Sequence, residues 1–527
     1  MGFATSRSLA ALVVLLGGGL LLRVWGLDYG LPLSSARPDE EVLIQKILGF
    51  DAGDPNPHWF VYPTLSLYLL YAWVKAAFVA GHALGLWAGA TDLATLARTE
   101  PAALYLVGRA LAAVLGTATI WAAYALGRAA ASAGAGLIAA LLTAVCFLHV
   151  RESHFFKPDV MLSFFTTLAL LGCVRLQRRG TWGAAIAAGV ACGLAVAVKY
   201  GVVLLVPLVL AALLGPPAGR GLPSRTARAA VAFAATGVAF AVTSPYALIA
   251  YDELFRALRV VRMWVGQAGD GVASGFRYHA LYSFLAAQGL PLSAAVLGAL
   301  AWSARERRLA PIAAFAAASL VQLGLSAAAL SRYLTPVLPA LYVLVGAATM
   351  RLLVRLPSPT APVAGGLLLA ILVARPLHSA VRFDQIVAQP DTRLLAASWM
   401  EAHVPRGTAV LLVGAPWPYT FGDPPLGRYR VRRNLPLDPA LGVGWVVTHE
   451  HPIPFSHVPP AFADLRPGLR LEQTISPFAG EAAPADALFE LRDGFYVPIA
   501  GFAEVVRGGP IIQIYTVPSS ENRHASS

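Results

Sequence analysis

Residues 8–41 read SLAALVVLLGGGLLLRVWGLDYGLPLSSARPDEE: an apolar run, a short linker, then three consecutive acids, Asp39, Glu40 and Glu41. The run begins as a membrane anchor would. Carboxylates beside a bilayer are unfavourable to place and usually have a function. Acids held at a membrane surface suggest chemistry on a substrate that itself resides in the membrane.

The rest of the chain fits that frame. Of its 527 residues 57% are hydrophobic and only 13% charged, with a mean hydropathy of +0.64, whereas about a quarter of the residues of a soluble domain are charged. The net charge of +12 would suggest nucleic acid in a soluble protein. Here the arginines cluster in short loops between apolar runs, so membrane topology explains them and no nucleic-acid partner is implied. Cys146, Cys173 and Cys192 lie in or beside apolar runs and define no disulfide framework. The first run lacks a small-residue cleavage site and reads as a retained anchor. The Ala, Gly and Arg bias with little Lys suggests a bacterial source.

Apolar runs able to cross a hydrocarbon core of about 30 Å lie near 8–27, 102–126, 133–150, 159–176, 181–198, 200–215, 228–250, 280–303, 309–330, 333–350 and 360–379. A further run, 63–86, contains Lys75 and His82 and is rich in Tyr and Trp. Arginines at 175, 178 and 179, at 220, 225 and 228, at 305, 307 and 308, and at 351 and 355 mark cytoplasmic loops, as do Arg128 and Arg7. Residues 39 and 151–158 then lie outside, provided that 63–86 does not cross or crosses twice. Residues 28–101 therefore read as one long outer loop with interfacial helices, where Tyr62, Tyr68, Tyr71 and Trp73 suit the half-wet level. The alternative is one ordinary additional crossing. A second outer loop, 251–279, holds Asp252, Glu253, Arg256, Arg259, Arg262, Gly266, Gly271 and Gly275, and its arginines are suited to an anion.

Beyond residue 382 the composition changes. Residues 383–527 read as a small α/β domain on the outer face. It has a helix from Asp391, its N-cap, to Ala402, and strands at 408–413, 444–448 and 510–517. The expected architecture is a polytopic α-helical membrane domain, 1–382, followed by this domain.

Several residue groups have chemical potential. Asp39 can take a proton from an acceptor hydroxyl, contribute to a divalent-metal site, or cap the helical run that follows. The stretch His149-Val-Arg-Glu-Ser-His154-Phe-Phe-Lys157-Pro-Asp159 crowds polar groups into a short outer loop. His149, Glu152 and His154 match no standard metal spacing, and Asp159 sits where an anion favours a helix N-terminus. The only lysines are Lys46, Lys75, Lys157 and Lys199, all mapping outside or at the outer interface. A lysine there either binds a phosphate or snorkels. Lys199-Tyr200 separates two apolar runs, and Arg332-Tyr333 opens a later one, with a phosphate contact and a tilted flank as its alternatives. In the tail, His449-Glu450-His451 and His457 could bind metal on a strand, but Pro452 and Pro454 favour a loop.

These pieces, in this order, resemble the GT-C membrane glycosyltransferases, in particular the protein-O-mannosyltransferase-like group (glycosyltransferase family 39) that also includes lipid A aminoarabinose transferases. The carriers are Pro38-Asp39-Glu40, Val107-Gly-Arg109, Gly136–Ala140, His149–Asp159, Gly193–Tyr200, Arg332–Pro339 and Asp391–Trp399. The resemblance covers most of residues 1–420. It implies a GT-C fold of about 11–13 transmembrane helices with interfacial helices in the first outer loop. It further implies Asp39 and Asp159 as the catalytic acids of the first and second outer loops, Lys199 and Arg332 near a donor phosphate, and Lys157 as a further contact. Tyr200, Tyr333 and His154 join them as substrate-binding candidates, and Glu40 and Glu41 are open between acceptor contact, metal and cap. The implied reaction transfers a hexosyl or pentosyl group from a polyprenyl-phosphate sugar to a protein, lipid or glycan hydroxyl. It would take place outside the bacterial inner membrane, with no required cofactor and a divalent metal as an option. A transporter or lipid flippase, and a non-catalytic envelope assembly protein, are the rival readings. A transporter calls for broken helices and internal repeats, which the sequence does not display.

Overall fold

The computed structural model describes all residues except 1, 88, 217–222, 267–273, 416–419, 434–441, 481 and 519–527. Arg220 and Gly271, read above as parts of a cytoplasmic cluster and an outer loop, lie outside the described residues. The chain is mostly helical and divides into two compact units, Met1–Trp25 with Val42–Val381 and Gly26–Glu41 with Arg382–Ser527. The tail begins where the composition changes. The segment Gly26–Glu41, which the sequence reading kept in the membrane domain, packs with the tail, because Tyr29 and Arg37 bond to Asp391 and Asp493.

Among the described residues, seven helical segments are long and apolar enough to cross a membrane: Arg7–Val24, Leu65–Ala83, Pro101–Ala130, Pro158–Arg179, Ser224–Thr243, Arg307–Leu325 and Ala361–His403. Shorter apolar helices span Ala133–Val145, Trp182–Val198, Val202–Leu214, Leu290–Ser303 and Leu338–Leu353. The protein is a multi-pass membrane protein of the expected class. Leu65–Ala83 is one unbroken helix that meets the same length and composition as the others. Lys75 does not interrupt it, because its ammonium pairs with Asp51 at 2.6 Å.

Several of the apolar runs are interrupted. The run 133–150 breaks at Cys146, whose φ and ψ of −62° and 111° are extended. The run 200–215 starts with a 3₁₀ turn, Val202–Leu204. Residues His279–Ala286 form a π-helix, and Gly289, with φ at +80°, separates it from Leu290–Ser303. The broken helices that the sequence does not display are therefore present. Irregular backbone at membrane depth needs protein or a wet cavity around it. Lys199 lies just before one of these breaks, the turn Val202–Leu204.

Close helix packing holds these breaks in place. A Cβ on Gly189 would collide with the Ala232 carbonyl, and one on Gly193 would lie 2.5 Å from the Thr236 carbonyl. The helix Trp182–Val198 thus packs on Pro223–Thr243 through a small-residue seam. The Thr236 hydroxyl donates to the Gly189 carbonyl at 3.0 Å across it.

In the tail unit, β1 (Ala409–Val413), β2 (Arg430–Arg433), β3 (Trp445–Glu450), β4 (Arg470–Ile475) and β5 (Ile511–Thr516) form one sheet in the order β2-β1-β3-β5-β4. β1 pairs parallel with β2 and β3, and β5 pairs antiparallel with β3 and β4. Both faces are covered. Val410, Leu412, Val447, Ile512 and Ile514 pack under Ala396 and Met400 of the helix Thr392–His403, and Leu411, Val413, Val446 and Tyr515 pack against Phe462. The three strands expected from the sequence are β1, β3 and β5, and the expected helix is present with Asp391 as its cap, its carboxylate accepting from the Arg393 amide at 2.9 Å. The two strands not expected, β2 and β4, are the edges, whose exposed Arg-Val-Arg-Arg and Arg-Leu-Glu-Gln lack the apolar signature of a buried strand.

Candidate functional site

The membrane unit gathers its candidate residues at one end of a helical hairpin. Lys157 caps the helix Pro158–Arg179, Pro158 occupies its first turn without losing a needed donor, and Asp159 follows, 1% exposed. Lys199 ends the neighbouring helix Trp182–Val198. Its ammonium donates to Asp159 Oδ1 at 2.7 Å, so the start of one helix meets the end of the next, and the two short connections share one end. The Lys199 ammonium also lies 4.5 Å from the centre of the Tyr333 ring and 5.4 Å from that of Tyr62. Burial works against its charge, but Asp159, Tyr62 and Tyr333 outweigh burial and raise its pKa.

Arg332 enters from the 3₁₀ turn Ser331–Leu334, its guanidinium 5.8 Å from the Tyr333 ring. The Ser163 hydroxyl donates to the Thr335 carbonyl at 3.3 Å and ties that turn to the Asp159 helix. The charges of Lys199, Arg332 and Lys157 all act on the Asp159 carboxylate, whose Oδ2 accepts no hydrogen bond among the described residues. Three of the expected residues thus act on one expected carboxylate, with Tyr333 stacked over the lysine. Beside them lies a small apolar cleft lined by Leu43, Leu67, Leu70, Leu111, Leu115, Phe156 and Met161, into which Lys157 and Ser66 also open.

Two other candidates are turned to the backbone. The Tyr200 hydroxyl donates to the Phe60 carbonyl at 3.3 Å. His154 faces the Val150 carbonyl through Nδ1 at 2.9 Å and the Trp25 carbonyl through Nε2 at 3.0 Å. Burial pushes its pKa down to about 4, so the ring is neutral near pH 7 and donates to one of the two. His149 Nδ1 accepts from Arg23 at 3.0 Å, and Arg151 binds Glu152 at 2.8 Å. Among the described residues no group of three or more His, Cys, Asp or Glu is placed to hold a metal ion.

The acidic triplet lies at the edge of the tail unit, and its three members differ. Asp39 is exposed and has φ at +78°, the left-handed region that a side chain rarely adopts. Glu40 is fully buried at the start of the helix Glu40–Asp51, and Glu41 is exposed. The residues before Asp39 are fixed: the Arg37 guanidinium donates to the Asp493 carbonyl at 3.1 Å and to its carboxylate at 2.8 Å. The sequence reading treated Arg37 only as backbone context for Pro38, and Asp493 carried no motif at all.

The tail histidines serve packing. His449 lies between Asp423 Oδ1 and the Ser456 hydroxyl, both at 3.0 Å, and Ser456 meets the Tyr496 hydroxyl at 2.6 Å. A Cβ on Gly414 or Gly422 would strike this histidine ring, so no ligand fits there. His451 sits among Phe478, Phe489 and Tyr496, and His457 faces the Pro454 carbonyl at 3.1 Å.

The family model described as dolichyl-phosphate-mannose-protein mannosyltransferase matches residues 103–249. The oligosaccharyltransferase AglB from Archaeoglobus fulgidus, in complex with an inhibitory peptide and a dolichol-phosphate, is 13% identical with a TM-score of 0.52, the match covering 85% of this chain and 70% of that one. In the apo form the oligosaccharyltransferase of the same organism is 15% identical with a TM-score of 0.51, covering 84% and 69%. ArnT from Cupriavidus metallidurans bound to undecaprenyl phosphate is 16% identical with a TM-score of 0.49, covering 90% and 96%. A search of curated protein sequences finds no match. The chain has the GT-C fold of integral membrane glycosyltransferases.

Proposed function

We propose that this protein is a membrane glycosyltransferase that moves a sugar from a polyprenyl-phosphate donor to a hydroxyl acceptor, outside the inner membrane of a bacterium. The observation that carries this reading is the convergence of Lys157, Lys199 and Arg332 on Asp159 beside an apolar cleft. Lys157, which lines the cleft, and the basic groups around the neighbouring Asp159 suit a ligand with an anionic head and a hydrocarbon chain. The dolichol-phosphate bound to AglB has that chemistry. The outer-face assignment rests on the arginine distribution.

The acceptor hydroxyl attacks the anomeric carbon from the side opposite the phosphate, so the configuration inverts. The carbon–oxygen bond to phosphate breaks, and its electron pair leaves with the polyprenyl phosphate. Asp39 takes the hydroxyl proton, a contribution of about 10²–10⁴-fold. Lys199 and Arg332, with Lys157, stabilise the charge growing on the phosphate. Asp159 is the acid that holds the Lys199 ammonium at this point. The sugar is a hexose or a pentose, and the acceptor a protein, lipid or glycan.

Purified protein should release polyprenyl phosphate from a sugar donor only when an acceptor is present, and Asp39→Asn should lose that activity by about 10²–10⁴-fold. Unchanged transfer by the variant would remove Asp39 from the mechanism. The interrupted helices also fit a flippase. A flippase moves the donor across the bilayer without breaking the sugar–phosphate bond, so lipid translocation with no free polyprenyl phosphate would favour that reading.

A further inference from the structure

We propose that the tail unit positions the catalytic base: Asp493 through Arg37, and Gly494 through Pro38, hold Asp39 in its left-handed conformation. The proposal rests on the reading of Asp39 as the base. A non-glycine residue with φ at +78° is strained and persists only where its surroundings over-determine it. That constraint comes from the residues just before it.

Arg37 is extended, with φ and ψ of −128° and 112°, and fully buried. Its two terminal nitrogens both bond to Asp493, one to the backbone carbonyl and one to the carboxylate, so the fork fixes orientation as well as distance. Its guanidinium lies 4.8 Å from the centre of the Phe495 ring. Between those two residues, Gly494 has φ at +60°, and a Cβ there would come within 3.0 Å of Pro38 Cγ. Asp493-Gly494-Phe495 therefore grips Arg37-Pro38 by a charge, a close backbone approach and a ring.

A second grip lies further back along the same segment. The Tyr29 hydroxyl donates to Asp391 Oδ2 at 3.1 Å, and its ring stands edge-on to Phe495 at 5.5 Å. Asp391 is held by the Arg393 fork at 2.8 and 2.7 Å. The segment 26–41 is thus anchored at both Tyr29 and Arg37. Asp39 comes immediately after the second anchor and immediately before the helix Glu40–Asp51. On this reading the tail of residues 382–527 is the support of the catalytic loop. Asp493 is a positioning residue: it bonds Arg37 and acts on Asp39 only through it.

The test uses the full chain in detergent or nanodiscs, with a polyprenyl-phosphate sugar that the wild type turns over. Asp493→Asn weakens the charge-assisted fork at constant size, and Gly494→Ala pushes on Pro38 and strains the turn at φ +60° without removing a fork atom. Both should lower kcat by about 10²-fold, the loss that a 1 Å misplacement brings, with the donor KM, polyprenyl-phosphate binding and folded fraction unchanged. Asp493→Glu should recover most of the rate. Wild-type kcat in both Asp493→Asn and Gly494→Ala would overturn the positioning role while leaving the transferase reading intact. So would parallel losses of kcat, lipid binding and folded fraction. A wild type inactive on every donor would overturn both readings.

Discussion

The molecule contains two kinds of buried ion pair, and the contrast between them separates binding from support. At the hairpin end of the membrane unit, one carboxylate, Asp159, feels three basic side chains, and its direct partner Lys199 keeps 22% of its side chain exposed beside an open cleft. In the tail unit two pairs are closed. Asp391 faces Arg393 with both side chains 0% exposed, and Asp493 faces Arg37 at 1% and 0%. The residue types differ as well. The direct partner of Asp159 is lysine, a compact point charge that can be shared with an anion, and those of Asp391 and Asp493 are arginine forks, which fix geometry. Several bases converging on one acid with an open side suit a ligand. Matched pairs closed over by Phe495 and Tyr496 suit a scaffold.

The strongest way to break this comparison is to remove one arginine from the tail. Arg393→Met leaves Asp391 buried without its fork and should destabilise the protein by about 3–5 kcal/mol, read as a lower denaturation midpoint. Polyprenyl-phosphate binding by the fraction still folded should not change. If lipid binding is lost while folding survives, the tail pair is part of the binding machinery and the division fails.

Lys199→Met makes the complementary cut. It removes a charge at the expected phosphate position and should lower kcat/KM for the donor by about 10²–10³-fold, with weaker binding of polyprenyl phosphate. Asp159 then loses its closest cation, so a smaller loss of stability accompanies the change. A variant that melts earlier but binds the lipid normally would move Lys199 from the ligand site to the scaffold. Because the Lys199 pKa is raised, the ammonium persists from acid through neutral pH. Its stabilising contribution is lost only as the pH rises through that raised value, so no change in donor binding near neutrality should trace to it.

The same contrast shows what the sequence could disclose. Apolar runs, arginine-rich loops and the acids of the outer loops follow from local composition, which is why the class of fold was legible. The parity of the crossings put Asp159 and Lys199 on one face, and the family resemblance put Lys199 and Arg332 near one phosphate, but the contact of Lys199 with Asp159 was not readable. The breaks at Cys146 and Gly289 were hidden, because an apolar run reads alike whether or not its backbone bends. The edge strands β2 and β4 carry charge instead of an apolar pattern. The role of Arg37 was not readable either, since its partner Asp493 lies 456 residues away in a stretch, Arg492–Phe495, that carries no motif. The tail histidines differ in the opposite direction: Pro452 and Pro454 favoured a loop, whereas His449 and Glu450 end β3, with His449 buried and Glu450 exposed.

His451 gives the finest test, because it marks the tail interior as closed and dry, whereas the Asp159 site is open to a ligand. Its ring meets Phe489 and Tyr496 edge-on at 4.5 and 5.0 Å. Nδ1 accepts from the Ile453 amide at 3.2 Å, so the proton of the neutral ring resides on Nε2. Burial, and then the charge of Arg393, push its pKa down to about 3. In the unfolded chain it titrates near 6.5. Below that value the unfolded state binds the proton and the folded state does not. Stability should therefore fall as the pH drops from about 6.5 towards about 3, with a limiting slope of about 1.4 kcal/mol per pH unit. Carboxylates begin to titrate only near 4, so the upper part of that window belongs to buried histidines, His154 among them. His451→Phe removes one titrating group and the Ile453 acceptor, but the second loss does not vary with pH. Melting curves of the full chain between pH 4 and 8 should show a shallower acid slope for the variant than for the wild type. An unchanged slope would mean that His451 is protonated in the folded state, and that the tail interior is as accessible to a charge as the lysine site.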